Sequence, residues 1–426
     1  MVEQLVSNAR RAFETSPPVG DPAYARYCHV LSRLLTQEWA AILQANADDL
    51  NEAKRRGLAS VLVERLRMGE SQLRHLVALT EKVASELPAA TASTQWASVD
   101  DWGALRRVPK PLGVVFMVYE ARPTVTVEGA LIPVVVGNAV LLRGGKEMAA
   151  TDAALADIVR RALLEAGLPE SMVTIVSDPD RLVLRELLKR HDAIDVLIPR
   201  GSPSLIEHCR SASSIPVIAS GGGVNHIYVH DSADLKRAAE VALDSKLAEP
   251  TACNTVELIL VDAQVADDFV KHLIEMGNLE NGPLTLRLGG GLQAQDRGNV
   301  SVQPLGEHDL GREFLDATLG VLPVSGLDEA VAHIRHYGSK HTEGIISNEA
   351  AAIDRFVALV DAAAVVINGS LRLHDGPTLG LGSEISISTG RLHVRGSVTL
   401  KALLTYSWVV DAKGALRADR STSCQL

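Results

Sequence analysis

Four cysteines, Cys28, Cys209, Cys253 and Cys424, are scattered along the chain with no CxxC pair. Neither a zinc knuckle nor a disulfide framework is expected, and no metal site with them. Only one of these thiols stands where it could attack a substrate. Cys253 lies in Glu249-Pro250-Thr251-Ala252-Cys253-Asn254-Thr255-Val256-Glu257, after a helical pattern and directly before an apolar strand. A turn at that place puts a thiol at the edge of a cleft, where amide dipoles lower its pKa and favour the nucleophilic thiolate. Cys28 and Cys209 sit inside helical patterns, where a thiol is ordinarily a small buried apolar group. Cys424 falls in a polar tail.

Two further segments have the residue types that hold phosphates. Arg143-Gly144-Gly145-Lys146 follows one apolar strand and Arg200-Gly201-Ser202 follows another. Glycines let backbone amides approach a phosphate and the cations offset its charge. Neither segment is a GxGxxG, and either one by itself also reads as a simple turn.

These residues must be positioned by an α/β framework. Residues 1 to about 87 repeat apolar side chains at helical spacing, broken near Pro17–Gly20 and at Gly57. From Val108 strands alternate with helices: Leu112–Tyr119, a helix opened by Pro123 and Thr124 and closed at Gly137, Ala139–Leu142, a helix ending at Ala166, Met172–Val176, a helix at Arg181–Arg190, Ile194–Ile198, and Pro216–Ala219. That alternation implies right-handed crossovers and a doubly wound parallel sheet. A second α/β series runs from Ile227 to Ile367, with a glycine-rich stretch at Gly289–Gly291. Leu404–Val410 reads as an edge strand in need of a partner.

Composition excludes several classes. Hydrophobic residues make up 46% and charged residues 22%, which is ordinary for a globular chain. The formal charge of −10, with no Lys/Arg stripe interleaved with aromatics, argues against nucleic-acid binding. The longest apolar runs fall short of the ~18 residues of a membrane span, and no export signal opens the chain, so the cytoplasm is expected.

In sequence order, Val118-Tyr119-Glu120-Ala121-Arg122-Pro123, Gly137–Glu147, Ile198-Pro199-Arg200-Gly201, Cys253-Asn254, His341-Thr342 and Gly380–Ile385 resemble the gamma-glutamyl phosphate reductase branch of the aldehyde dehydrogenase superfamily. The resemblance runs from about Val108 to the C-terminus. It implies three parts: a helical region with a Rossmann-like cofactor domain (1–228), an α/β catalytic domain bearing the nucleophile (229–385), and an oligomerisation β-arm (386–426). The implied reaction is NADPH-dependent reduction of L-glutamyl 5-phosphate. Cys253 expels phosphate to form a thioester, and hydride transfer and collapse give glutamate 5-semialdehyde. The implied partners are the small acyl phosphate, further copies of the chain as a dimer or tetramer, and glutamate 5-kinase for channelling.

The same resemblance assigns roles. Cys253 is the nucleophile, and Asn254 with the Cys253 N–H stabilises the oxyanion. Arg143, Gly144, Gly145, Lys146, Arg200, Gly201, Ser202, Gly221, Gly222 and Glu313 hold the cofactor, while Arg122 and Thr124 face the substrate. Ala219 occupies the place of the glutamate that activates water in hydrolytic relatives; alanine takes no proton, so hydrolysis of the thioester should be slow. Thr124, Ala248-Glu249, Asn225 and Pro203-Ser204 depart from the family's residues. They leave open a related acyl phosphate as substrate, or a silent nucleotide-binding paralogue.

Overall fold

The computed structural model describes residues 1–391 and 393–417. Cys424 and the end of the expected arm lie outside them. Five helices open the chain: α1 (Val2–Thr15), α2 (Pro22–Gln37), α3 (Trp39–Arg55), α4 (Ser60–Leu66) and α5 (Glu70–Thr91). Their apolar faces are not a separate core. Leu31 and Leu35 of α2 and Leu76 and Val83 of α5 are buried in one cluster with residues of the sheet that follows. β1 (Ala97–Val99) and β2 (Gly103–Pro111) then form an antiparallel hairpin.

The first parallel sheet contains β3 (Val114–Tyr119), β4 (Ala139–Arg143), β5 (Val173–Ile175) and β6 (Val196–Arg200), in the order β5-β4-β3-β6. β3 and most of β4 are buried on both faces, as apolar strands under crossover helices must be. The crossovers are α6 (Thr124–Leu131), α7 (Ala149–Ala166) and α8 (Arg181–Leu187), with α9 (Pro203–Ala212) following β6. Gly137 and Gly167 take left-handed backbone where the sequence places its helix stops. Because the chain steps from β3 to β4 and β5 and then returns to the far side of β3, the strand order reverses between β3 and β6. A crevice opens there beyond the carboxyl ends of the strands. The expected strand Pro216–Ala219 is reduced to a single parallel bridge, Val217 with Leu197.

The second sheet is all parallel, in the order β10-β9-β11-β8-β7-β12-β13. Its strands are β7 (Asn225–Val229), β8 (Val256–Asp262), β9 (Leu284–Leu288), β10 (Val300–Pro304), β11 (Thr318–Val324), β12 (Thr342–Ile346) and β13 (Ala364–Ile367). Helices α10 (Leu235–Leu247), α11 (Ala266–Gly277), α12 (Leu327–Tyr337) and α13 (Ala350–Leu359) cover it. The sheet therefore begins at Asn225, before the boundary expected at 228.

The C-terminal segment differs from the expected arm. β14 (Glu384–Ser388) and β15 (Gly396–Thr399) form a two-stranded ribbon, and Ile385, Val398, Leu400 and Leu403 are buried in the core of the first domain. Only β16 (Leu404–Asp411) leaves that core. It pairs antiparallel with β2 over its whole length, giving the three-stranded order β1-β2-β16. Among the described residues no helix is long and apolar enough to cross a membrane.

Candidate active site

Cys253 sits in the turn between α10 and β8, open to solvent. Two elements hold the backbone of that turn. Gly223 lies so close that a Cβ built on it would fall 1.6 Å from the Cys253 carbonyl oxygen. The Asn225 side-chain amide donates to the carbonyls of Cys253 at 2.8 Å and Thr255 at 2.7 Å. The segment that crosses from the first domain into the second thus also places the nucleophile.

The electrostatics of the thiol depart from the expectation of a lowered pKa. Protein walls the thiol except toward the cleft, and this desolvation pushes its pKa up; Glu313 and Glu384 push the same way. Arg200 and Arg122 pull it down. The counterweight to burial is thus two guanidinium groups, and the thiolate is favoured further only when the surroundings change.

Arg200, at the end of β6, was expected among the cofactor residues, but its field reaches Cys253, Glu128 and Glu384. Arg122 is exposed at the start of the loop into α6, followed by Pro123 and half-buried Thr124. The helical region adds a third cation, Arg65 of α4, which interacts electrostatically with Arg122, Glu313 and Glu120. Nothing in the sequence points to a role for Arg65, because its helix is far from Cys253 along the chain.

Glu313 accepts from the Gly223 N–H at 2.8 Å, and a Cβ on Gly222 would come within 2.7 Å of its other oxygen. Gly222 and Glu313 are therefore on the nucleophile's side of the crevice. Gly221 packs beside Thr389. Asn254 is committed elsewhere than the oxyanion expectation placed it: its Nδ2 donates to the His374 carbonyl at 3.0 Å and its Oδ1 accepts from Arg372. Arg372 also pairs with Glu249 at 2.8 Å. That ion pair offsets the charge of Glu249, one of the departures from the family's residues.

The second half of the crevice is a cavity of about 1440 Å³ beyond the carboxyl ends of β3 to β6. Arg143, Gly144, Gly145, Lys146 and Ser202 line it, as the sequence suggested. Ser202 caps α9, accepting from the Leu205 N–H while its own N–H donates to Glu120. Arg143 is partly spent on the carbonyls of Asp178 and Asp180. Gly144 and Gly145 sit close under two carboxylates: a Cβ on the first would lie 2.4 Å from an Asp152 oxygen and on the second 2.0 Å from a Glu147 oxygen, so a side chain at either place displaces them. A cavity larger than the ~300–1,000 Å³ of most ligand pockets, with glycine backbone and cations on its wall, fits an extended dinucleotide.

The arrangement is a large cavity beyond the carboxyl ends of β3 to β6 and, outside its lining, an exposed cysteine in the turn before β8. A family model described as the aldehyde dehydrogenase family matches residues 2–282. The chain belongs to that family. It is 42% identical to the gamma-glutamyl phosphate reductase of Glaesserella parasuis serovar 5 (strain SH0165), over 88% of this chain and 90% of the relative. The enzyme of the same name from Salmonella paratyphi C (strain RKS4594) is 37% identical, covering 98% of this chain and 100% of its own. The crystal structure of gamma-glutamyl phosphate reductase from Thermotoga maritima superposes with a TM-score of 0.88 at 30% identity, over 98% of this chain and 99% of that one. An acetylating aldehyde dehydrogenase from Geobacillus thermoglucosidasius shares the fold, with a TM-score of 0.72 at 18% identity over 97% of each chain. Within the aldehyde dehydrogenase family the chain therefore lies in the gamma-glutamyl phosphate reductase branch.

The family uses nicotinamide cofactors, and one wall residue is expected to make their binding depend on pH. Burial raises the Asp152 carboxyl to about 7, with Asp49 and Glu147 adding to the rise and a hydrogen bond from Thr126 opposing it. Asp152 lines the cavity. Below that pH it is neutral; above it a negative charge faces the space that would take the cofactor's phosphates. Dinucleotide affinity is expected to fall by about 3- to 10-fold between pH 6 and 8, and Asp152→Asn to flatten the dependence. Calorimetric titration checks this, and an unchanged Kd across that range in the unmodified protein would refute it.

Proposed function

We propose that this enzyme reduces L-glutamyl 5-phosphate to L-glutamate 5-semialdehyde and phosphate, the reductive step of proline biosynthesis, with NADPH as the reductant. The single observation that carries the reading is the Cys253 turn, held against Gly223 and Asn225, with its thiol in the field of Arg200 and Arg122. Gly144, Gly145, Lys146 and Ser202 would hold the cofactor; when bound, its nicotinamide supplies the hydride.

The chain's own residues do the rest. Arg200 and Arg122 have no ion pair among the described residues, so they are free to meet the two anionic ends of an acyl phosphate that carries a carboxylate. Bringing the phosphate there orients the acyl carbon toward the sulfur. Attack by Cys253 breaks the carbon–oxygen bond to phosphate and leaves a thioester. The Cys253 backbone N–H is the oxyanion donor, since the Asn254 side chain is occupied. Ala219 provides no base for water, which leaves the thioester to reduction.

Neutralising the cations should act on substrate binding first. For Arg200→Ala and Arg122→Ala, KM for the acyl phosphate, or for phosphate in the reverse direction, is expected to rise by about 10-fold or more each. Steady-state kinetics decide, and an unchanged KM in both variants would remove these residues from the substrate site.

Lys146, exposed on the cavity wall, supports the choice of NADPH over NADH. The exposed Tyr406, Trp408 and Val410 of β16 support a homodimer or tetramer built through that ribbon, whose outer edge has no strand beside it among the described residues. A cytoplasmic site and channelling from glutamate 5-kinase complete the proposal, since acyl phosphates hydrolyse readily in water. The function is tested in reverse. Glutamate semialdehyde and NADP should yield NADPH beyond one equivalent per active site only when phosphate is present; continued turnover without phosphate would overturn the reading.

A further inference from the structure

We propose that Asn225 is the positioning residue for the Cys253 nucleophile. This deepens the reading above and rests on Cys253 being the reacting group. The side chain is fully buried and all of its hydrogen-bonding capacity but one acceptor site is used. Nδ2 donates to the carbonyls of Cys253 at 2.8 Å and Thr255 at 2.7 Å; Oδ1 accepts from the Thr342 N–H at 3.1 Å. One amide therefore ties the turn before β8 to the start of β12, the two strands that flank its own strand β7.

The geometry makes these bonds directional for the thiol. A trans peptide plane has its C=O and N–H pointing opposite ways. Once Nδ2 and the Cα of Gly223 trap the Cys253 carbonyl on one side, the Asn254 N–H is turned to the other. Neither the Cys253 nor the Asn254 N–H makes a hydrogen bond among the described residues. Those donors are thus held free beside the sulfur, where negative charge develops on the thiolate and then on the oxyanion. The register of β7 and β8 is also irregular between Asn225 and His226, so strand pairing alone does not set the height of the turn. The amide takes over that task where the ladder slips.

The test separates positioning from folding and from the substrate assignment. Asn225→Asp keeps the size and the acceptor for Thr342 but sets a carboxylate against two carbonyls. Asn225→Ala removes all three bonds. For both, the expected result is a loss of about 100-fold in kcat with KM changed by no more than about 3-fold, and a rate of Cys253 alkylation by iodoacetamide at pH 7.5 reduced by about 10-fold. Cofactor affinity should be unchanged. Alkylation needs no substrate, so it reports on Asn225 even if the acyl phosphate proves to be another compound. Absence of phosphate-dependent turnover in the unmodified protein would count against the function alone. Normal kcat and alkylation in a folded Asp or Ala variant would overturn the proposal. So would variants that cannot be purified folded, since the amide would then serve the fold rather than the thiol.

Discussion

Replacing Cys253 by serine should abolish reduction of the acyl phosphate, with kcat lowered by roughly 10⁴-fold or more. Among the described residues Cys253 is the exposed thiol: Cys28 and Cys209 are buried away from solvent, and burial raises their thiols to about 12 and about 11. A serine hydroxyl in the same turn is a far weaker nucleophile at neutral pH than a thiolate. The variant should fold and bind the dinucleotide as before, since the cavity beyond β3 to β6 includes no atom of Cys253. Initial-rate assays together with a titration of the cofactor check both parts. Residual activity within about 10-fold of normal would remove Cys253 from the mechanism.

Gly223→Ala is expected to be nearly as damaging, for a reason visible only in three dimensions. The added Cβ would lie 1.6 Å from the Cys253 carbonyl oxygen and 2.8 Å from the Asn225 amide nitrogen. The nearest of these atoms is backbone, so the nucleophile's turn itself must move. A shift of an ångström at a reacting atom costs about 100-fold in rate, and the forced displacement should also cost about 1–3 kcal/mol of stability. Gly221→Ala is the contrasting variant: its Cβ would meet the Thr389 side chain at 3.3 Å, which can yield. The expected outcome is a kcat reduced at least about 100-fold in Gly223→Ala and by less than about 5-fold in Gly221→Ala. Comparable rates in the two variants would contradict the close approach.

Much of this was legible in the order of residues. β3 and β4 are unbroken apolar runs, and α7 ends at a glycine that adopts left-handed backbone, so both domains' crossovers could be followed by eye. Strands β9 to β11 could not. β11 includes Gly320 and Pro323, which read as breaks, yet Gly320 is there because Leu258 and Leu305 crowd it. Long-range packing, not local propensity, makes that segment a strand.

The site was readable in its chemistry and misread in its geometry. Cys253 and the glycines at 144 and 145 stand out by type and spacing, and Gly221 and Gly222 only through the family resemblance. What spacing cannot report is direction: Asn254 follows the nucleophile but bonds to His374, while Asn225, twenty-eight residues upstream, holds the nucleophile's carbonyl. Nor can spacing report that Glu249, a departure from the family's residues, is paired with Arg372. The segment 386–403 carries arm-like polar residues, but its Val398, Leu400 and Leu403 are buried in the first core.

The most direct measurement mixes the enzyme with glutamate semialdehyde and NADP in the absence of phosphate, following NADPH and the mass of the peptide bearing Cys253. The account predicts one NADPH per active site, a glutamyl group in thioester linkage on Cys253, and release of that group when phosphate is added. Continued turnover without phosphate, or an unmodified Cys253 after the burst, would contradict it.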